Sequence, residues 1–242
     1  MTISRDESRN AGAVGEDPWF ADLPFESCFA YLPGGDGPLC EEGRRLCARL
    51  KAADRSWLPH LAAQVWLEAI GHGRFARSFG GGVVLVPVPG SAAALRTDGV
   101  VARLAWCLKQ LGLATEVWPG LRRGHAVRKS AVAPAGERPS VLEHYGSFAV
   151  ERPSRGDAAG GRYSRVAEPV GAGLRLTLVD DVITRGRTLL AAACRLREAF
   201  PDAEIRAFAL LRTLGRGEVL RQVLDPCAGE VRWVAGDARR NP

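Results

Sequence analysis

The feature that most constrains the fold is the segment from Leu174 to Thr188, which reads LRLTLVDDVITRGRT. It starts with an apolar run that predicts a buried strand, and the run ends in two adjacent carboxylates, Asp180 and Asp181. A short polar loop follows, and apolar residues then recur at helical spacing until Pro201. The segment therefore predicts a strand that delivers two carboxylates to a loop at the start of a helix.

The loop after the two carboxylates has the properties of a phosphate site. The N-terminus of a helix carries backbone N–H groups without intrahelical partners and the positive end of the helix dipole, and two threonine hydroxyls add further donors. The two carboxylates suit ribose hydroxyls or a hydrated magnesium ion. A phosphorylated sugar is thus the predicted ligand, and the predicted phosphate-binding residues are Thr184, Arg185, Gly186, Arg187 and Thr188.

Each half of this pattern also has an ordinary structural interpretation. A pair of aspartates at a strand end can cap the next helix, and a loop with glycine and threonine is common turn chemistry. The two halves joined in one strand–loop–helix unit favour the functional interpretation. A Walker-type nucleotide site is disfavoured because no glycine-rich loop in the chain ends in Gly-Lys-Ser or Gly-Lys-Thr.

A second anion site is predicted after the apolar segment Val83 to Pro89, VVLVPVP, which reads as a buried strand. In open α/β sheets, ligands collect at the carboxyl ends of strands, which makes this strand end a candidate. Taken alone, the segment would be explained as an ordinary strand bounded by prolines. The candidate residues are Pro87, Val88, Pro89, Gly90 and Ser91.

The apolar strand, the Asp-Asp pair and the Thr-x-Gly-x-Thr loop closely resemble the 5-phosphoribosyl-1-pyrophosphate (PRPP) signature of type I phosphoribosyltransferases. The Pro-Val-Pro strand end resembles the ComF-like branch of that family. The similarity covers roughly Leu39 to Leu214. It differs at Arg96 to Gly99, which read RTDG where ComF-like proteins usually carry Arg-Gly-Phe-Asn, and this difference weakens the expectation of a shared substrate or partner.

The resemblance implies magnesium-dependent transfer of 5-phosphoribose from PRPP to an acceptor. The 5-phosphate would lie at Thr184 to Thr188, and the pyrophosphate at Pro87 to Ser91. Asp180 and Asp181 would hold the sugar hydroxyls and, through water, the metal ion. The acceptor, a nucleobase or an amine, is not identified by any pattern in the chain.

The segment from Arg122 to Tyr145 is long, basic and irregular, and such a loop inside a compact domain is usually functional or disordered. The resemblance implies a flexible loop that covers the active site and excludes water. As a group, Arg123, Arg128 and Lys129 are the predicted catalytic residues of this loop. Each of them alone is explained equally well as a solvated basic side chain.

The alternation of strands and helices predicts one α/β domain with a mainly parallel sheet flanked by helices and an N-terminal helical extension. The resemblance adds a flexible hood loop, the basic segment that would cover the active site. Residues 1–38 are predicted to be poorly ordered or irregular, and residues 39–242 to form the phosphoribosyltransferase-like domain. Within that domain, residues 39–80 are the helical extension and residues 81–214 the core. The C-terminal part is predicted to hold a short helix (Glu218–Val223), a short edge strand (Val231–Ala235) and a frayed tail (Gly236–Pro242).

The composition of the chain limits the classes of ligand and the cellular compartment that we expect. The net charge of +6 and the pI near 9.3 favour anionic ligands, while the dispersed arginines permit nucleic-acid binding without requiring it. No apolar run approaches the roughly 20 residues of a membrane span, and the N-terminus has no signal-peptide pattern. The six cysteines form no Cys-x-x-Cys pair, which predicts reduced thiols in a cytoplasmic protein.

Two further classes of function stay open. The chain could bind PRPP, a nucleotide or single-stranded nucleic acid without catalysis, as the ComF-like resemblance also allows. A single strand needs aromatic side chains for stacking, and the basic loop offers only Tyr145 nearby, which favours the enzyme. A structural subunit of a larger assembly is the third option. A homodimer is compatible with the resemblance, and the sequence carries no signal for the oligomeric state.

Overall fold

The computed structural model describes residues 20–52, 56–92, 99–128, 137–151, 173–215 and 217–242. The strands are β1 (Leu23–Tyr31), β2 (Val83–Pro87), β3 (Glu116–Val117), β4 (Leu121–Arg123), β5 (Phe148–Val150), β6 (Arg175–Ile183), β7 (Glu204–Thr213), β8 (Leu224–Val234) and β9 (Asp237–Asn241). The helices are α1 (Pro38–Lys51), α2 (Leu58–Trp66), α3 (Val100–Gln110), α4 (Val141–Ser147) and α5 (Arg187–Ala199), and a π-helical turn, Leu67–Gly71, continues α2.

Seven strands form one sheet in the order β3-β2-β6-β7-β1-β8-β9. The first five of these are parallel to one another, whereas β8 and β9 are added in antiparallel orientation beside β1. The strands β4 and β5 form a separate antiparallel pair. The predicted mainly parallel sheet is therefore confirmed.

Helices cover both faces of this sheet because the central strands are apolar on both sides. On one face, Leu104 and Leu108 of α3 pack into a core with Val179 and Phe208. The opposite face receives the apolar side of α5, which packs against even-numbered residues of β6 such as Leu178. The α/β architecture with helices flanking the sheet is thus as the sequence predicts.

The connections around β2 and β6 create a topological switch point. From β2 the chain passes through α3 to β3, at one edge of the sheet, whereas from β6 it passes through α5 to β7, in the opposite direction. The pairing continues past the end of β2, where the Val88 N–H donates to the Val179 carbonyl at 2.9 Å. In open α/β sheets, a crevice for ligands opens at the carboxyl ends of two such strands.

The prediction of irregular structure before residue 39 is wrong for Leu23–Tyr31, because this segment is β1 and lies between β7 and β8. A buried carboxylate, Glu26, interrupts its apolar pattern. Glu26 accepts a hydrogen bond of 2.9 Å from the backbone N–H of Ser78, 52 residues further along the chain. That distant partner makes a carboxylate acceptable in a central strand, and no local pattern reveals it. Residues 1–19 lie outside the described residues.

Of the predictions for the C-terminal part, the helix and the frayed tail are wrong, and the strand is present but is longer than predicted and not at the edge of the sheet. Residues 217–223 are not helical, the strand around Val231 is part of the longer β8, and the supposed frayed tail contains β9. Strand β9 is polar in sequence, yet Ala238 within it is buried in the core that α5 covers. Tertiary pairing here outweighs the weak local preference for a strand.

Two smaller differences concern the middle of the chain. The segment from Thr115 to Leu121 reads as one strand in the sequence, but in the structure it divides into the two-residue β3 and the start of the separate β4. Within the segment predicted to be irregular, Ser140 and Glu143 form a capping box that begins α4. Helix α2 begins at Leu58, with Trp57 as its N-cap.

The composition-based expectations concern cysteines and membrane spans. All six cysteines are free, and four of them are buried. Within the described stretches, no helix is both long and apolar enough to cross a membrane.

The integration of β9 into the core generates a stability test. In the variant Ala238→Asp, a carboxylate would be buried among apolar side chains, and we expect the free energy of unfolding to fall by about 3 kcal/mol or more. The matched variant Arg239→Asp places the same group at the neighbouring exposed position and should cost much less. Urea unfolding measures both, and equal, small effects would show that the segment is a frayed tail after all.

Candidate functional site

The two carboxylates lie where β6 ends, at the switch point. Asp180 accepts a hydrogen bond of 2.9 Å from the N–H of Asp181, and Asp181 accepts one of 2.7 Å from the N–H of Val182. Desolvation, and then the neighbouring charge of Asp181, raise the pKa of Asp180 well above its ordinary value, while the charge of Arg123 opposes this rise. A cationic or hydroxyl-bearing ligand beside Asp180 would relieve this cost by giving the carboxylate a partner.

The loop after β6 turns into α5 through Gly186, the N-cap residue. Its φ of 84° lies in the left-handed region, and a Cβ there would meet Val231 Cγ2 at 2.6 Å. Glycine is required on both counts. No side chain among the described residues caps α5, which leaves the N–H groups of its first turn for a ligand.

A cavity of about 120 Å³ joins the carboxylate to this loop. Its wall is formed by residues of the end of β6, the loop and the first turn of α5, together with one residue from the segment before α4: Asp180, Val182, Ile183, Thr184, Arg185, Gly186, Arg187, Thr188, Leu189 and Arg138. All five predicted phosphate-binding residues and one of the two predicted carboxylates therefore line one cavity.

The two arginines of the loop are held by Asp237 of β9. Arg187 forms a bidentate ion pair in which Nε donates to Asp237 Oδ1 at 2.6 Å and Nη2 donates to Oδ2. Arg185 Nη1 donates to Asp237 Oδ2 at 3.3 Å. Although burial acts in the opposite direction, the hydrogen bonds from Arg187 hold the pKa of Asp237 below its ordinary value. One of the two positive charges of the loop is thus balanced within the protein.

The predicted pyrophosphate loop lies at the end of β2, next to the end of β6. Its backbone is tied to β4, because Arg123 Nε donates to the Gly90 carbonyl at 2.8 Å. The Val127 N–H donates to the Ser91 carbonyl at 2.9 Å. The switch point therefore brings the two predicted anion loops to the same edge of the sheet.

Arg123, predicted to be a catalytic residue of a flexible loop, is a buried residue of β4 with an exposed fraction of 6%. Its guanidinium lies 4.1 Å above the ring of Phe148 and donates hydrogen bonds to Ser147 Oγ and, at 3.1 Å, to His144 Nδ1. Burial lowers the pKa of Arg123 to about 10, and the negative charge of Asp180 opposes this shift. A substrate cannot reach this guanidinium in the conformation described.

His144 is buried behind Thr188, with an exposed fraction of 3%. Its Nε2 lies 3.4 Å from Thr188 Oγ1, and its ring stacks on Phe148 with the centroids 6.5 Å apart. Burial lowers the pKa of His144 to about 4, and the positive charge of Arg123 acts in the same direction. The imidazole is therefore neutral at pH 7.

Arg128, the second predicted catalytic residue of the basic loop, pairs with Glu137. The two side chains line a larger cavity of about 620 Å³, whose other lining residues are His125, Ala126, Val127, Arg138, Pro139, Glu143 and Gly146. Arg138 lines this cavity and the smaller one. Lys129 lies outside the described residues.

The residues of the site fit a magnesium ion that is bound together with a phosphorylated ligand. Among the described residues, no group of three His, Cys, Asp or Glu side chains could hold a metal. Asp180 and Asp181 supply two carboxylates, which matches the usual manner in which Mg²⁺ is bound, by one or two carboxylates plus substrate phosphates and water.

Sequence analysis missed three residues of this region, namely His144, Arg138 and Asp237. His144 and Arg138 belong to the basic segment Arg122–Tyr145. The sequence therefore identifies them as basic residues of that segment, but it does not show that they lie beside the cavity. Asp237 lies 50 residues from Arg187, in a strand that the local sequence does not predict.

Comparisons with known proteins identify no family for the chain. No family model matches it, and no curated protein matches. Among solved structures, one match is the glutamine mutant of an HPRT, a type I phosphoribosyltransferase, from an analysis of an invariant aspartic acid in HPRTs. The match has 10% identity and a TM-score of 0.27, and it covers 76% of this chain and 90% of the other. A TM-score this low supports no argument about function.

The buried His144 generates a pH test. Because its pKa is about 4 in the folded protein and near 6.5 when unfolded, the unfolded chain binds a proton between these values and the folded chain does not. Stability must therefore fall as the pH falls through this window, by on the order of 2 kcal/mol at pH 4.5. Urea unfolding at pH 7 and pH 4.5 measures this loss.

The variant His144→Gln should lack this part of the pH dependence, whereas His60→Gln, at an exposed position of α2, should keep it. The same loss in the wild type and in His144→Gln would contradict the assignment of a buried, neutral His144.

Proposed function

We propose that the chain is a phosphoribosyltransferase-like enzyme that transfers 5-phosphoribose from PRPP to a nucleobase or an amine in a magnesium-dependent reaction. The observation that carries this proposal is the cavity at the switch point, in which Asp180 meets the uncapped first turn of α5. Backbone N–H donors that suit a phosphate and a carboxylate that suits sugar hydroxyls thereby face one cavity, at the location where open α/β sheets bind ligands.

In this proposal the 5-phosphate is bound mainly by backbone N–H groups and threonine hydroxyls. Asp237 pairs with both Arg187 and Arg185 and balances one of their two positive charges, so these arginines fix the loop and do not offer their full charge to the ligand. Thr188 and the N–H groups of the first turn of α5 are then the direct donors.

Asp180 and Asp181 would bind the ribose hydroxyls and the hydrated magnesium ion. When bound, the ion neutralises the charge of the departing pyrophosphate. The carboxylate of Asp180 would place negative charge beside a sugar that becomes cationic as the bond to pyrophosphate breaks, which stabilises that state relative to the ground state. The Pro87–Ser91 loop would hold the pyrophosphate from the adjacent strand end, with Arg128 and Lys129 as the candidate basic residues of the covering loop.

The alternative function, binding of single-stranded nucleic acid, requires an accessible aromatic side chain, and the candidate was Tyr145. Tyr145 is covered by the guanidinium of Arg195, whose Cζ lies 3.8 Å from the ring centroid, and it also packs against Phe20. A base therefore has no access to that ring face. A non-catalytic PRPP- or nucleotide-binding protein would use the same cavity, and it differs from the enzyme only in releasing no pyrophosphate.

Calorimetric titration with PRPP, with and without magnesium, tests the proposal. We expect magnesium-dependent binding by the wild type and an affinity at least about tenfold weaker in Asp180→Asn, because that variant removes a charged hydrogen-bond acceptor from the cavity. The control Asp202→Asn alters an exposed aspartate at the opposite edge of the sheet, before β7, and should bind like the wild type.

Pyrophosphate release is then measured with a panel of nucleobases and amines, ammonia included. The proposal predicts release with at least one acceptor, and a loss by orders of magnitude when Asp180 and Asp181 are both replaced by Asn. Absence of PRPP binding by the wild type would contradict the proposed function, and binding without release would establish the non-catalytic alternative.

A further inference from the structure

The direction of one hydrogen bond behind the cavity can be derived from the chemistry of its neighbours. Arg123 carries only N–H donors, so the His144 Nδ1 that lies 3.1 Å from its Nη2 must accept. A neutral imidazole that accepts at Nδ1 carries its proton on Nε2. His144 Nε2 therefore donates to Thr188 Oγ1, 3.4 Å away, and the hydroxyl oxygen of Thr188 is the acceptor.

The direction of this hydrogen bond determines where the Thr188 hydroxyl can donate its own proton. Because its oxygen already accepts from His144, the hydroxyl can donate its own proton elsewhere, and Thr188 lines the cavity that also contains Asp180. A hydroxyl that only donates to the ligand suits a group that only accepts, and a phosphate oxygen is such a group. The opposite tautomer of His144 would instead leave Nε2 as an acceptor that competes for this proton.

Several contacts hold His144 in this state. Arg123, which sets the tautomer, is itself fixed by the Gly90 carbonyl, by Ser147 Oγ and by the ring of Phe148. Burial also lowers the pKa of the imidazole, which prevents a proton from reaching Nδ1 at neutral pH. The same bridge connects the loop after β2 to the loop after β6, two segments about 100 residues apart in sequence.

We propose that His144, held by Arg123, is a positioning residue that orients the Thr188 hydroxyl as a hydrogen-bond donor toward a phosphate in the cavity. This inference rests on the proposed function, since it deepens the account of the same phosphate site. His144 does not touch the ligand, because it lies behind Thr188 and is 3% exposed. Its role is to occupy the acceptor side of the Thr188 hydroxyl, so that this hydroxyl donates its proton toward the cavity.

Paired variants at position 144 separate positioning from packing. His144→Gln places an amide N–H near the position of Nε2 and retains a donor to Thr188, whereas His144→Asn is too short to reach that hydroxyl. With ribose 5-phosphate as the probe in calorimetry, we expect His144→Asn to weaken binding about tenfold, the effect of one hydrogen bond to a charged group, and His144→Gln to stay within about threefold of the wild type. The exposed His60→Asn is the control.

A double-mutant cycle with Thr188→Val shows whether the effect passes through the hydroxyl. In the Thr188→Val background, which lacks that hydroxyl, His144→Asn should change the affinity for ribose 5-phosphate by less than about twofold. Equal losses in both backgrounds would mean that His144 acts only on packing and would overturn the inference. Unchanged affinity in the single variant would overturn it as well.

Nitrogen-15 NMR of the wild-type imidazole provides a readout that does not depend on whether a variant folds. The inference predicts a neutral ring with the proton on Nε2, and a proton on Nδ1 would overturn it. If the wild type binds no PRPP, the proposed function fails and the positioning role fails with it. If it binds PRPP but no ribose 5-phosphate, only the positioning role fails. Binding by the wild type together with additive losses contradicts the positioning role alone.

Discussion

The parallel pairing of β2 with β6 is the constraint on which the site depends. These strands lead into connections that run to opposite sides of the sheet, so a crevice opens where both strands end. The pairing extends one residue beyond β2, through the hydrogen bond from Val88 to Val179, and it holds the two loops in register. Without it, the carboxylates of β6 and the Pro87–Ser91 loop would have no fixed relation to each other.

Buried polar contacts fix the conformation of the two loops, which the pairing of the strands alone does not determine. Arg123 and His144 connect the loop after β2 to the first turn of α5, and Asp237 holds the arginines of the phosphate loop from the other side. Because unpaired polar groups are costly in the interior, each of these contacts favours a single arrangement of the loops. A site arranged before the ligand arrives loses less conformational entropy on binding.

The local sequence was sufficient to predict an element where all the residues that determine it lie in one continuous segment. The unit from β6 to α5 was predicted because strand, carboxylates, loop and helix follow each other directly in Leu174 to Thr188. It was insufficient for β1 and β9, since Glu26 and Asp237 are stabilised by partners 52 and 50 residues away in sequence. The capping box at Ser140 was a readable signal for α4 that the basic composition of the surrounding segment obscured. The buried position of Arg123 likewise depends on tertiary contacts.

A crystal structure of the protein with PRPP and magnesium tests the central claim most directly, because it locates the 5-phosphate. We expect phosphate density within hydrogen-bond distance of the Thr188 hydroxyl and of the N–H groups in the first turn of α5, with a ribose hydroxyl at Asp180. Density for the 5-phosphate in the larger cavity beside Arg128 and Glu137, with the cavity at Asp180 holding only water, would contradict the claim.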